Sequence, residues 1–318
     1  MKSFLQDEKD KLVALDLDFT KLQNKKLCIF GATGFVGKCL VDLLTFADKE
    51  LNLSLELHLV ARNHENLLDL YYFNNKVRIY EQDVCEVITI KNEFDYIVDC
   101  CYRPITNDYI PNIKSAQNIA KFSLLNKSKV LYLSSGAIYG NQFQIGENKE
   151  SSYGKSEITN NPLVATKRLA EKIYFDICGD NCKIARLFTF AEPHLDLEAN
   201  FAFSSFIKNK IKNLPLKVVG NSVRRSYLYS VDLAVWLIKI LLSDNGFQIY
   251  NVGSDSSILL AELAEKISND VQIVNSGFNS ISSDLYIPNL AKIKSELKVK
   301  ENYKLEEIIE KTLLFHNI

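Results

Sequence analysis

The stretch Gly31-Ala-Thr-Gly-Phe-Val-Gly37 constrains this chain more than any other. Ahead of it, Lys25-Lys-Leu-Cys-Ile-Phe30 is a short apolar run of strand type. Behind it, Lys38-Cys-Leu-Val-Asp-Leu-Leu-Thr-Phe46 carries apolar residues at helical spacing. Strand, glycine turn and helix form the context in which such a loop binds a dinucleotide. Glycine permits a tight turn and lets backbone approach a pyrophosphate closely. The helix N-terminus that follows offers N–H groups and partial positive charge to the same anion. Gly37 falls in the first helical turn, where a side chain would hold helix and strand apart. A glycine triplet alone is more often a surface turn before a helix, and the two correct flanks decide for the dinucleotide. Gly31, Thr33, Gly34, Phe35, Val36 and Gly37 are the candidate contacts.

The remaining composition excludes more than it selects. The 318 residues allow one large domain or two. With 38 basic and 39 acidic residues, net charge is −1, and no basic surplus points to nucleic acid or an anionic membrane. The N-terminal residues lack the apolar core of a secretory signal. The longest apolar run, residues 234–242, is too short to span a bilayer. Seven scattered cysteines (28, 39, 85, 100, 101, 178 and 182) without C-x-x-C spacing predict reduced thiols in a cytoplasmic protein. The four histidines form no metal-ligand pattern, so no metal is expected. A G-x-S-x-G nucleophile elbow is absent.

From Lys25 to about Ala185, strand and helix patterns alternate. Strands are expected at 25–30, 56–61, 76–80, 95–99, 129–133 and 181–185, with helices at 64–73, 107–126 and 163–178. This alternation predicts an α/β, Rossmann-type doubly wound parallel sheet with ligands at the carboxyl ends of its strands. After Ala185 the pattern is less regular. Helices are expected at 201–211, 231–242, 259–267, 287–296 and 305–315, and strands at 216–219, 225–229 and 248–252. Residues 1–24 read as a helical lead-in. Residues 25–185, plus about 227–252, read as the dinucleotide-binding domain. Residues 186–226 and 253–318 read as a smaller C-terminal α/β substrate-binding domain.

Strand two of such a fold ends in the group that reads the adenine ribose, an acid for NAD or an arginine for NADP. Here it ends Val60-Ala-Arg62-Asn63, with no acid, so Arg62 favours NADP, with NAD the alternative. Asp83 and Val84, just after strand three, are placed for the adenine edge.

Three stretches carry a family resemblance: the glycine loop, Ser134-Ser-Gly-Ala-Ile-Tyr-Gly140, and Arg225-Ser-Tyr-Leu-Tyr-Ser-Val-Asp232. In this order they resemble the extended short-chain dehydrogenase/reductases, the nucleotide-sugar epimerases, 4,6-dehydratases and 4-ketoreductases. The resemblance covers nearly the whole chain. Ser135–Gly140, Asn200–Phe203, Arg225–Tyr229, Asp232–Leu237 and Tyr250–Gly253 are similar to a subgroup from bacterial surface-polysaccharide pathways.

The resemblance implies roles. In this family a Ser or Thr after strand five and a Tyr-x-x-x-Lys on the next helix do the chemistry. Tyrosine is the acid/base toward a sugar hydroxyl or ketone, and lysine lowers its pKa and binds the nicotinamide ribose. Ser135 matches the hydroxyl, facing substrate, and Lys167 matches the lysine. Asn200 and Arg225 match substrate positions, Arg225 being the planar donor that clamps the sugar-nucleotide diphosphate. Cys100 and Cys101 stand where small residues let the nicotinamide half lie close, and Arg186 is either structural or substrate-facing. A homodimer through the helices at 107–126 and 163–178 is also implied.

The tyrosine does not match. Four residues before Lys167 stands Leu163, which cannot donate or accept a proton. Tyr153 or Tyr102, on loops near strand ends, could serve instead; Ser135, Lys167 and water could suffice; or there is no redox step. The dehydratases' Asp-Glu pair falls at Gly136-Ala137, which argues against a standard 4,6-dehydratase. Two functions stand. One is an NAD(P)-dependent epimerase or 4-ketoreductase acting on a nucleotide sugar in polysaccharide synthesis. The other is a catalytically impaired protein of the same fold, binding cofactor and nucleotide sugar as a sensor or partner subunit.

Overall fold

A computed structural model describes residues 17–63, 65, 76–103, 109–140, 149–151, 161–193, 195, 197–198, 201–219, 223–274 and 285–317. Residues 1–16 of the expected lead-in, nearly all of the helix at 64–73, most of the loop at 141–161 with Tyr153, and Asn200 lie outside the described residues; the end of the lead-in forms a short 3-10 helix, Phe19–Leu22, with Leu22 fully buried. The described strands are β1 (Lys26–Phe30), β2 (Glu56–Ala61), β3 (Val77–Glu81), β4 (Tyr96–Asp99), β5 (Lys129–Ser135), β6 (Cys182–Leu187), β7 (Phe190–Ala191), β8 (Leu216–Val219), β9 (Arg224–Ser226), β10 (Leu228–Tyr229), β11 (Gln248–Val252), β12 (Ser257–Leu259), β13 (Val271–Val274) and β14 (Leu285–Tyr286). The described helices are α1 (Phe35–Leu51), α2 (Ile110–Asn126), α3 (Pro162–Cys178), α4 (Ala202–Ile211), α5 (Ser230–Leu242), α6 (Leu260–Ile267), α7 (Ala291–Leu297) and α8 (Leu305–Phe315).

Two compact units can be described. The first comprises residues 1–138, 157–186 and 234–250, and the second residues 139–156, 187–233 and 251–318. The first is built on a seven-stranded parallel sheet of order β11-β6-β5-β4-β1-β2-β3, flanked by helices, the doubly wound fold expected from the alternation. β1 pairs in parallel with β2 on one side and β4 on the other. Leu27, Cys28, Ile29 and Phe30 are all fully buried, which is why this strand reads as a continuous apolar run. The strand order reverses between β1 and β4, so their carboxyl ends frame the crevice that open α/β sheets use for ligands.

Local chemistry fixes the helix ends that matter to the site. Gly34 caps α1, whose buried face carries Gly37, Leu40, Val41, Leu44 and Ala47. Asn52 ends it at φ 52°. The Asn161 side chain accepts from the Leu163 N–H at 3.0 Å, and Pro162 fills the first turn, so α3 starts at that point. α2 and α3 lie against each other. Phe30, Phe122, Ile119 and Tyr174 belong to the core between this helix layer and the sheet.

The second unit holds short sheets, β12-β9-β14 and β13-β8 among them. Asp232 is buried and accepts from the Asn302 N–H (2.8 Å), the Asn302 side-chain amide (2.6 Å) and the Tyr303 N–H (3.3 Å). Burial pushes its carboxyl up to about 6 against those bonds. The strand expected at 225–229 is split into β9 and β10. The helix expected at 287–296 begins only at Ala291. Pro288 cannot continue a helix ladder, and the Asn289 side chain accepts from the Ala291 N–H.

Among the described residues no helix is long and apolar enough to cross a membrane. No group of three or more His, Cys, Asp or Glu among them could hold a metal ion.

Candidate functional site

The glycine loop leaves β1 in a turn held by β2. The N–H groups of Gly31 and Ala32 both donate to the Val60 carbonyl, at 3.0 and 3.3 Å, and the Gly34 N–H donates back to Gly31 at 3.0 Å. Gly31 has φ 77°, and a Cβ there would stand 2.9 Å from the Cys100 carbonyl carbon, so glycine is required twice over. A Cβ on Gly37 would stand 2.5 Å from the Gly31 oxygen and 2.8 Å from the Ala32 Cα. Bare backbone at these two positions lets the loop fold onto the first turn of α1 and against the end of β4. Thr33, Gly34, Phe35 and Val36 complete this turn and the start of α1.

Arg62 follows β2 and is exposed. Asp83 follows β3 and is already engaged. Arg103 donates to it at 2.5 Å and the Cys85 N–H at 2.9 Å, and these bonds hold its carboxyl below the usual range although burial works the other way. Val84 is buried in the core and its carbonyl accepts from Asn118. Arg103 was not singled out from the sequence. Its position four residues past β4 gave no periodic signal, and only the adjacency of strand ends brings it to Asp83.

The opposite side of the same crevice carries Ser135 and Lys167. Ser135 ends β5, partly exposed, and its hydroxyl accepts from the Ala137 N–H at 3.1 Å. Lys167 comes from the second turn of α3, 7% exposed, and donates to the Leu133 carbonyl at 2.7 Å, near the end of the same strand. Its ammonium lies 4.9 Å from the ring centre of Tyr132 and 5.1 Å from that of Tyr102. Burial lowers its pKa, and Asp99 and Glu171 oppose that shift. Leu163 shares its helix face one turn earlier.

Beneath this corner lies a buried polar layer. Asp99 ends β4, 2% exposed, and accepts from Tyr174 at 2.7 Å and from the Cys101 N–H at 2.8 Å. Burial raises its carboxyl, opposed by those bonds and by Lys167. Arg186 is structural, not substrate-facing. It is fully buried and gives Glu171 two bonds, 3.0 Å to Oε1 and 2.8 Å to Oε2. Ser134 donates to the same carboxylate at 2.5 Å. Glu171 was not singled out from the sequence, and its helical offset of four from Lys167 was the signal available. Burial keeps the Cys100 and Cys101 thiols well above their usual range, so they are protonated. Trp236 is a core residue, 1% exposed.

Arg225 belongs to the second unit, in β9. It donates to the Arg224 carbonyl at 2.8 Å, and its guanidinium lies 6.0 Å from the ring centre of Tyr286.

The first unit thus carries a glycine turn at the switch point and a buried lysine that donates to the Leu133 carbonyl of β5. Residues 27–253 match the family described as the NAD dependent epimerase/dehydratase family. The chain belongs to this family. UDP-glucuronic acid decarboxylase 1 of Arabidopsis thaliana is 25% identical over 301 residues, covering 89% of this chain and 67% of that protein. Among solved structures, a UDP-N-acetylglucosamine 4-epimerase from Methanobrevibacter ruminantium superposes with a TM-score of 0.77 at 18% identity. That match covers 92% of this chain and 98% of the other. A dTDP-glucose 4,6-dehydratase from Bacillus anthracis, solved in complex with NAD, gives 0.74 at 16% identity, covering 92% and 96%. At these identities the structures show the shared fold, and the family is one whose relatives modify sugar nucleotides. Gly31 and Gly37 leave the turn between β1 and α1 tight and free of side chains, which is the kind of surface a dinucleotide pyrophosphate can approach closely.

Proposed function

We propose that this protein modifies a nucleotide-activated sugar with a nicotinamide dinucleotide, as an epimerase or 4-ketoreductase. The observation that carries the reading is Lys167. Its ammonium is held by the Leu133 carbonyl at the end of β5, on the strand that presents Ser135, beside the β4 end against which Gly31 lies. In this reading Gly31, Thr33, Gly34, Phe35, Val36 and Gly37 hold the pyrophosphate. Arg62 and Arg103 give the adenosine end a positive character that suits NADP, with NAD the alternative. Asp83 orients Arg103, and Val84 floors the adenine site. Lys167 binds the nicotinamide ribose, Ser135 polarises the reacting sugar oxygen, and Asn200 and Arg225 bind the sugar nucleotide. The bound dinucleotide supplies the hydride acceptor or donor. The first unit is then the dinucleotide-binding part and the second the sugar-nucleotide part. Uridine diphosphate sugars are the first substrates to test, given the names of the relatives. Resemblance supports a bacterial, cytoplasmic homodimer serving surface-polysaccharide synthesis.

A second reading is favoured by Leu163: a protein that binds cofactor and nucleotide sugar without turnover, as a sensor or partner subunit. One experiment separates the two. Purified protein is mixed with NADP(H) or NAD(H) and a panel of UDP-, GDP-, dTDP- and CDP-sugars, UDP-glucuronic acid included. Absorbance of the reduced nicotinamide and NMR of the sugar are followed. New sugar signals or a change in nicotinamide absorbance support the enzyme. Measurable cofactor binding with no turnover of any sugar overturns it in favour of the second reading.

A further inference from the structure

We infer that Tyr102, presented by the segment after β4, is the acid/base that Leu163 cannot be. This rests on the sugar-nucleotide reading above. Two phenols lie within about 5 Å of the Lys167 ammonium, and their surroundings separate them. Tyr132 is 3% exposed, and burial pushes its hydroxyl well above the ordinary range, so it neither meets a ligand nor ionises readily. Tyr102 is 41% exposed, so part of its side chain can be reached by a bound molecule. One ammonium therefore lies near a phenol locked in the core and a phenol that is partly exposed.

Position supports the assignment. Cys100, two residues before Tyr102, is the residue whose backbone would meet a Cβ on Gly31. Tyr102 thus stands at the switch point, where the glycine loop and the end of β4 come together. The backbone on both sides of it is tied down. The Cys101 N–H donates to Asp99 at 2.8 Å, the Arg103 N–H donates to Asn112 at 2.8 Å, and Asn112 donates back to the Arg103 carbonyl at 2.9 Å. Arg103 is in turn held by Asp83. A loop residue anchored on both flanks presents its side chain with little freedom, which acid/base work requires.

The electrostatics are of the right sign. An ammonium beside a phenol favours the phenolate. The groups facing Lys167 are Asp99 from β4, Glu171 from its own helix, Tyr132 from β5, and the protonated Cys100 and Cys101 thiols. The two carboxylates oppose the desolvation of the ammonium and so preserve the cation that acts on Tyr102. In the oxidative direction, Tyr102 as phenolate takes the proton of a sugar hydroxyl as that O–H bond breaks. The hydrogen on the same carbon departs with its electron pair to the oxidised nicotinamide dinucleotide, so the alcohol becomes a ketone and the dinucleotide is reduced. In the reverse direction Tyr102 returns the proton to the ketone oxygen. Lys167 supplies this phenol with a nearby positive charge, and the phenol comes from the segment after β4 instead of from the helix.

The test is Tyr102→Phe, which keeps the ring over Lys167 and removes only the hydroxyl. With whichever sugar nucleotide is turned over, kcat is expected to fall about 100-fold or more. Cofactor affinity should stay within about threefold. Adding Leu163→Tyr to Tyr102→Phe should restore at least about a tenth of the lost rate, because the helix position faces the same lysine. A structural tyrosine would not be rescued in this way. If the parent protein turns over a sugar and Tyr102→Phe keeps kcat within about threefold, the inference is overturned while the sugar-nucleotide reading stands. A second measurement needs no turnover. The phenolate absorbance that Tyr102→Phe removes should appear at lower pH in the parent protein than in Lys167→Gln, each measured against its own Tyr102→Phe partner. Equal midpoints overturn the pairing of Tyr102 with Lys167, whatever the assay shows.

Discussion

The glycine loop and the acid/base corner lie on the same sheet, yet they are specified by different physics. At the loop, backbone meets backbone: Gly31 against Cys100, Gly37 against Gly31 and Ala32, with no room for a side chain. At the corner, side chains from β4, β5, β6 and α3 converge on a buried layer of Asp99, Glu171, Lys167 and Arg186. The first arrangement leaves no space for a side chain at its close contacts. The second is assembled from side chains that separate elements deliver.

That contrast can be broken at its ends. The largest expected effect is in the corner's foundation. Glu171→Ala takes the Glu171 carboxylate from the buried Arg186 and leaves Ser134 without its acceptor, at a cost of about 3–5 kcal/mol in urea unfolding. Unchanged stability would mean that the layer is not dry and that the corner is no better ordered than a surface patch. Gly37→Ala comes next. The new Cβ meets backbone that cannot rotate away, so roughly 1–3 kcal/mol of stability is lost and cofactor affinity falls about tenfold or more by calorimetric titration. Retained affinity would show that the loop is as adaptable as the corner. The smallest effect is expected at Arg62→Ala, an exposed position where stability should stay within about 0.5 kcal/mol. NADP binding should weaken much more than NAD binding. Equal losses overturn the preference for NADP.

The loop and the sheet were legible because each is a local pattern. β2 and β11 occupy the ranges expected from their apolar runs, and β1 and α3 begin within one residue of theirs. The short strands β7, β12, β13 and β14 were not read, since two to four residues carry no periodicity to count. The one-turn spacing of Leu163 and Lys167 placed both on one face of α3 before any coordinates. Arg186 could not be assigned from its strand alone. Its partner Glu171 lies fifteen residues away on a helix, and Ser134 reaches the same carboxylate from another strand.

Sequence alone determined the strand–glycine–helix start, the doubly wound sheet and the absence of a proton-bearing group at 163. These depend on the chain's immediate neighbours: whether a turn accepts a Cβ, whether a run is apolar enough to be buried on both faces, whether a side chain holds an exchangeable hydrogen. Tertiary structure decided which of two nearby phenols is exposed and what holds the lysine near both rings. It also decided that Arg186 is a buried strut. Those facts follow from the β1–β4–β5 adjacency of the sheet, which brings residues 31, 100, 102, 133 and 167 together. Burial and charge at a site are set by the elements that fold around it, and a residue's neighbours along the chain do not reveal them.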